Sequence, residues 1–311
     1  MTTSSAPGKV ILFGEHAVVY GRPALAVPVT QVRADVEIAD SLDSQIWVDA
    51  PNIGLLSTLD SLLATPSAHP LATVIQSVFA ALSIDSPPPL AVHISSTIPV
   101  ASGLGSGAAV SVAVIRALSA FFGQPLPDEQ VSALAYEVEK LHHGTPSGID
   151  NTVVTYAKPV YFVKGQPIEM LHVGAPFTIV IGDTGLSAPT KESVSDVRKL
   201  WQAEPEMWEK VFDEVERIVQ EARAAIETGD ITTLGPLMNE NHKLLQEMTV
   251  SSVELDRLTE AARKSGAEGA KLSGGGRGGN MIALVEKEKA AVVAEALMIA
   301  GAKRTIITQI R

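Results

Sequence analysis

The chain has 311 residues, 46% of them hydrophobic and 19% charged, which suits a soluble protein with room for two domains and a proper core. A formal net charge of −11 disfavours nucleic acid and anionic membranes as partners, so any bound phosphate must be held locally, by glycine amides, a few cations and a metal. The absence of cysteine excludes disulfides, thiolate zinc sites and a cysteine nucleophile; with no secretory pattern at the start and no apolar run of membrane length, the cytoplasm is the expected compartment.

Residues 8–13 and 24–38 read as strands, the first a short apolar run, the second alternating from Val29 to Ile38, with Gly21-Arg22-Pro23 as the turn between them. Lys9 stands at the head of the first strand, as an active-site cation or an ordinary surface lysine. Glu15 and His16 form an unusual polar pair between two apolar runs. Residues 68–83 have helical spacing (Leu71, Val74, Ile75, Val78, Phe79, Leu82), cut off by the prolines at 87–89. A strand is expected over 90–98, then a glycine loop, a helix over Ala108–Phe122, and a second helix over 127–144 with Asp128 as N-cap and Gly144 as its end. Residues 177–184 read as a buried strand. Lys191 to Thr228 is charged, with apolar residues at helical intervals, and reads as a solvated helix face. The C-terminal part reads as strand (267–272), glycine loop (273–279), strand (280–285), helix (287–299) and strand (304–310). A boundary near residue 174 divides the chain into domains 1–174 and 175–311.

The loop "SGLGSGAAV" fits neither the dinucleotide fingerprint nor Walker A, since no Gly-Lys-Ser/Thr follows. It is a structural turn or an anion cradle of amides at a helix start. The strand before it, the helix after it, and Ser102 and Ser106 within it favour the cradle. A phosphate there would need a divalent cation, a carboxylate to hold it, a group for the acceptor's proton and a cation to offset charge. Glu137 and Glu139 are two apart on one helix, so one can face the loop while the other is solvated. Asp150, in "HHGTPSGID", lies among turn residues that either aim it into a cleft or use it as a turn cap. Adjacent His142 and His143 diverge on a helix, and His69, His93, His172 and His242 have no partner at ligand spacing, so none is given a metal role.

Three segments in this order, "APGKVILFGEHAVVYGRPALA" (6–26), "PVASGLGSGAAVSV" (99–112) and "KLSGGGRGGNMIALV" (271–285), resemble the three signature motifs of the GHMP kinase superfamily. Within it, "KVILFGEHAVVYG" and "HGTPSGIDNTVVTY" resemble the mevalonate kinases. The resemblance covers essentially the whole chain. It implies an α/β (α+β) two-domain fold, an N-terminal α/β domain with a ferredoxin-like C-terminal domain, and ATP-dependent 5-phosphorylation of (R)-mevalonate with Mg²⁺. Sibling kinases for a phosphorylated mevalonate, homoserine or a sugar are the nearest alternatives, and a non-catalytic nucleotide-binding regulator is a further one. For a phosphorylated acceptor, Arg22 is the main candidate cation near Glu15 and His16.

The resemblance also implies roles. Lys9 matches the active-site lysine, Asp150 the proposed catalytic base, and Glu15, His16 and Thr190 substrate contacts. Ala101, Ser102, Gly103, Leu104, Gly105, Ser106 and Gly107 match the ATP phosphate loop, and Asn52 and Ser96 further nucleotide contacts. Counting eleven back from Asp150 places the magnesium carboxylate at Glu139. Partners are therefore mevalonate and ATP, with no nucleic acid or membrane and a homodimer left open. Two positions depart from the motifs. Gly107, expected at or near the helix N-cap, replaces a serine that would ligate magnesium. Arg277 stands where glycine is usual, to contact a phosphate or point to solvent.

Overall fold

The computed structural model describes residues 1–65, 69–99, 102–143, 146–187 and 190–311. The chain forms two compact units interleaved in sequence: Met1–Gly8, Val32–Val100 and Gly105–Ala157 in the first, Lys9–Gln31, Ala101–Leu104 and Lys158–Arg311 in the second. Two long strands, β1 (Thr2–Phe13) and β2 (Ala24–Asp40), pair with each other, and each contributes residues to both units. β1 starts earlier than its apolar run suggests, because Thr2 to Ser5 form a polar, partly exposed strand.

The first unit continues with β3 (Trp47–Ala50), β4 (Leu55–Thr58), α1 (Leu59–Leu63), α2 (Pro70–Ala81), β5 (Leu90–Ser96), α3 (Ser106–Phe121), α4 (Asp128–His143) and α5 (Ile149–Tyr156). Its strands run in the order β4-β3-β5-β2, with β3 parallel to β5 and Ala34 of β2 opposite Ser96 of β5. α3 packs against α2, α4 and α5, which explains its almost uniformly apolar sequence. His69, without a role in the sequence reading, caps α2 by accepting the Leu71 amide at 3.3 Å. Asp128 is the first residue of α4 rather than its cap, and it pairs with Arg116 of α3 at 2.7 Å. Gly144, expected to end α4, lies outside the described residues.

The second unit comprises β6 (Val160–Phe162), β7 (Glu169–Met170), β8 (Phe177–Asp183), α6 (Thr190–Ala203), α7 (Pro205–Thr228), α8 (Ile231–Glu247), α9 (Val253–Lys264), β9 (Gly269–Ser273), β10 (Asn280–Val285), α10 (Ala290–Ile299) and β11 (Arg304–Ile310). A four-stranded antiparallel sheet in the order β11-β8-β10-β9 carries the helices, the α+β arrangement expected for the C-terminal part. The charged stretch from 191 to 228 is two helices, parted at Glu204 because Pro205 starts the next one. α8 seals the open edge of β9. Asn239 Oδ1 accepts the Ala270 amide at 3.1 Å, and His242 Nδ1 accepts that of Leu272 at 3.3 Å, so the strand's outward donors are satisfied. Glycine permits this approach, since a Cβ on Gly269 would lie 2.1 Å from the Gly235 carbonyl oxygen. No described helix is long and apolar enough to cross a membrane.

Candidate active site

In the second unit β1 ends at Phe13, and Gly14 turns the chain at φ 97°. A Cβ there would sit 2.4 Å from the Pro23 carbonyl oxygen, so glycine is required. The turn carries Glu15 and His16 inward, to 1% and 5% exposure. Lys9, back along β1, is also buried, and its amide donates to the Leu104 carbonyl at 3.0 Å. One oxygen of Glu15, Oε1, is bound by the ammonium of Lys271; the other, Oε2, has no hydrogen-bond partner among the described residues.

His16 reaches the loop between β9 and β10, where its Nε2 lies 3.1 Å from the Gly275 carbonyl. A carbonyl only accepts, so Nε2 carries the proton. Burial pulls the imidazole down to about 4, which leaves it neutral with a lone pair on Nδ1. That nitrogen too has no partner among the described residues. Glu15 and His16, consecutive in the chain, thus each present a buried acceptor without a partner among the described residues. Thr190, exposed at the start of α6, stands against the same glycine, since a Cβ on Gly275 would meet its Oγ1 at 2.9 Å. His16 and Thr190 therefore share one neighbourhood at Gly275, and Glu15 directly precedes His16 in the chain.

Of the glycine loop at 101–107, Ser102, Gly103 and Leu104 belong to the second unit and Gly105 to Gly107 to the first; Ala101 lies outside the described residues. Asn280, buried at the start of β10, donates its side-chain amide to the Ser102 carbonyl and ties the second motif to the third. Sequence reading passed over it; its one signal was a polar residue directly after the glycine run. Gly103 and Gly105 take φ 82° and 72°, conformations that favour glycine. Gly105 is the N-cap of α3, so the helix begins two residues earlier than expected and Gly107 lies inside its first turn.

Gly107, expected at or near the N-cap, lies two residues past it. Its φ is not among the positive ones, and nothing lies within 4 Å of where a Cβ would be. Gly107→Ala is expected to fold and to gain about 0.5–1 kcal/mol from helix propensity. Gly107→Ser is expected to gain less, with no capping contribution, yet it alone should lower the Mg²⁺ needed for half-maximal rate. Denaturant melts and Mg²⁺ titrations of both variants check this. Equal metal responses would mean that no ligand position is missing at 107.

The first unit holds the acidic candidates. Glu139 is buried at 7% exposure, whereas Glu137 is 63% exposed and pairs with Lys140 at 2.6 Å. Asp150, expected among turn residues that aim it into a cleft or use it as a cap, is half-buried in the first turn of α5, behind Gly148 at φ 94° as N-cap. Asn151, which the sequence reading did not single out, fixes α5 on α4 by donating to Ser132 Oγ at 2.9 Å and to its carbonyl at 3.2 Å. Since α4 carries Glu139 and α5 carries Asp150, this buried contact sets the two acidic elements against each other. Asn52 and Ser96 also meet, the Ser96 amide donating to Asn52 Oδ1 at 2.7 Å. Among the described residues no three His, Asp or Glu side chains gather as a metal cluster.

Arg277, at φ 58°, is held by ion pairing with Asp196 of α6 at 2.5 Å and by its amide's bond to the Val250 carbonyl at 2.7 Å. It braces the glycine loop to α6. Arg22 is enclosed by acids of α7, 2.6 Å from both Glu209 and Asp213.

Residues 71–158 match the GHMP kinases N terminal domain and residues 222–303 the GHMP kinases C terminal domain. The chain belongs to the GHMP kinase family. It is 38% identical to the mevalonate kinase of Thermococcus sibiricus over 99% of this chain and 95% of that one. It is likewise 38% identical to the mevalonate kinase of Pyrococcus horikoshii, over 96% of this chain and 92% of that one. Among solved structures it resembles L. major mevalonate kinase in complex with R-mevalonate, with a TM-score of 0.86 and 31% identity, covering 100% of this chain and 96% of that one.

Proposed function

We propose that the chain transfers the γ-phosphoryl group of ATP to the 5-hydroxyl of (R)-mevalonate, giving 5-phosphomevalonate for isoprenoid biosynthesis. The observation that carries this reading is the full-length likeness to mevalonate kinases, one of them holding R-mevalonate. Two features of the site support it. Glu15 and His16 offer acceptors, which suit hydroxyl groups and repel phosphate oxygens. Arg22, the main candidate cation for a phosphorylated acceptor, is already neutralised by Glu209 and Asp213, which argues against such an acceptor.

In this reading the acceptor hydroxyl attacks in line, Lys9 offsets the charge that builds on the transferred group, and Asp150 accepts or positions the departing proton. Residues 101–107 bind the ATP phosphates through backbone amides, with Asn52 and Ser96 as further nucleotide contacts. Glu15, His16 and Thr190 bind mevalonate. The donors fit Mg²⁺: the chain has no soft thiolate, Glu139 is a buried hard carboxylate, and an ion that keeps several waters needs few protein ligands. Mg²⁺, when bound, neutralises charge on the phosphates. The family's two domains are read as 1–174 and 175–311, and the small, polar substrates imply work in the cytoplasm.

ADP release, coupled to an indicator enzyme, tests the substrate. Mevalonate is expected to exceed phosphomevalonate, homoserine and galactose in kcat/KM by at least about a hundredfold. Comparable turnover of phosphomevalonate would overturn the assignment.

A further inference from the structure

Lys271 of β9 is fully buried, which is rare for a lysine unless it is paired. Its ammonium donates to Glu15 Oε1 and, at 2.7 Å, to the Leu272 carbonyl. The pair joins residues 256 apart in sequence and holds the Glu15 carboxylate by one oxygen only. Oε2 is buried and without a partner among the described residues, as is Nδ1 of His16, the next residue in the chain.

We infer that Lys271 is a positioning residue for the phosphoryl acceptor: it keeps Glu15 ionised and turned so that Oε2 accepts a hydrogen bond from an acceptor hydroxyl. This rests on the reading of the chain as a mevalonate kinase, and gives Glu15 a partner that its motif does not contain.

Glu15 faces cations from two strands. Burial pushes its carboxyl up; Lys271 from β9 opposes this most strongly, and Lys9 from β1 opposes it less. His16 beside it is kept neutral by burial and by the cations Arg277 and Lys271. Burial pushes Lys271 down, and Glu15 opposes that in turn. Removing Lys271 leaves a buried carboxyl whose ionised form is favoured only by a backbone hydrogen bond at Glu15 itself and, more weakly, by Lys9. The carboxyl then holds a proton more readily, and a protonated oxygen no longer serves solely as an acceptor.

The test is steady-state kinetics of the full chain from pH 6 to 9, with thermal melts alongside. Lys271→Met is expected to raise KM for mevalonate by roughly tenfold to a hundredfold at pH 7, with a smaller change in kcat and in KM for ATP. The KM should recover as pH rises and Glu15 regains its charge, a response that a merely structural lysine would not give. Lys271→Arg should restore KM to within about threefold of the wild type, because it keeps a cation at Glu15. Should Lys271→Met fail to fold, Lys271→Met with Glu15→Gln removes both charges together; its KM should stay high and independent of pH. A KM for Lys271→Met within about threefold of the wild type, an elevated KM without alkaline recovery, or a normal KM in the double variant would overturn the inference. An inactive wild type would instead overturn the functional reading.

Discussion

Asp150→Asn is expected to lower kcat by about two to four orders of magnitude while leaving the fold and ATP binding nearly unchanged. Asparagine keeps the size of the side chain but cannot take the acceptor's proton. The fold should tolerate it because α5 is fixed by other contacts. Asn151 holds it to Ser132, and Thr152 Oγ1 donates to the Gly148 carbonyl at 2.7 Å. An acid in the first turn of a helix contributes about 0.3–1 kcal/mol, so the melting temperature should fall by only a few degrees. A thermal melt and a nucleotide titration accompany the rate measurement. A kcat within a few-fold of the wild type would show that Asp150 neither accepts nor positions the proton.

Glu139→Gln is expected to raise the Mg²⁺ requirement by about two orders of magnitude, and Glu137→Gln hardly at all. The two residues have the same charge and lie on the same helix. They differ in burial, and Glu137 spends its charge on Lys140 in solvent, a pair of little energetic consequence. The comparison thus separates a metal carboxylate from general acidity of α4. Equal sensitivity of the two variants would place the ion elsewhere.

What the sequence revealed follows the range of the interactions. The apolar runs of β8 and β10, the periodicity of α2 and the helices α3 and α4 were legible because local pattern dictates them. α5 was not, because Pro146, Ser147 and Gly148 read as a turn and only eight helical residues follow. α8 was hidden by Gly235 and Pro236, which read as breakers although the first is needed for its approach to β9. In the site, the glycines, Lys9, Glu15, His16 and Asp150 stood out because their motifs are contiguous. The residues that orient them did not. Lys271 meets Glu15, and Asn280 meets Ser102, across separations of 256 and 178 residues, and no local pattern records such pairs. The three glycines of the loop illustrate the division: Gly103 and Gly105 serve backbone geometry, while Gly107 occupies ordinary helical space where a side chain fits.

The central claim, phosphoryl transfer to the 5-hydroxyl of mevalonate, is tested most directly by phosphorus NMR of the product formed from ATP, Mg²⁺ and (R)-mevalonate. A phosphomonoester signal coupled to the C5 methylene protons, appearing mole for mole with ADP, is the predicted result. ADP appearing with inorganic phosphate and unmodified mevalonate, or a phosphate on any other oxygen, would contradict it.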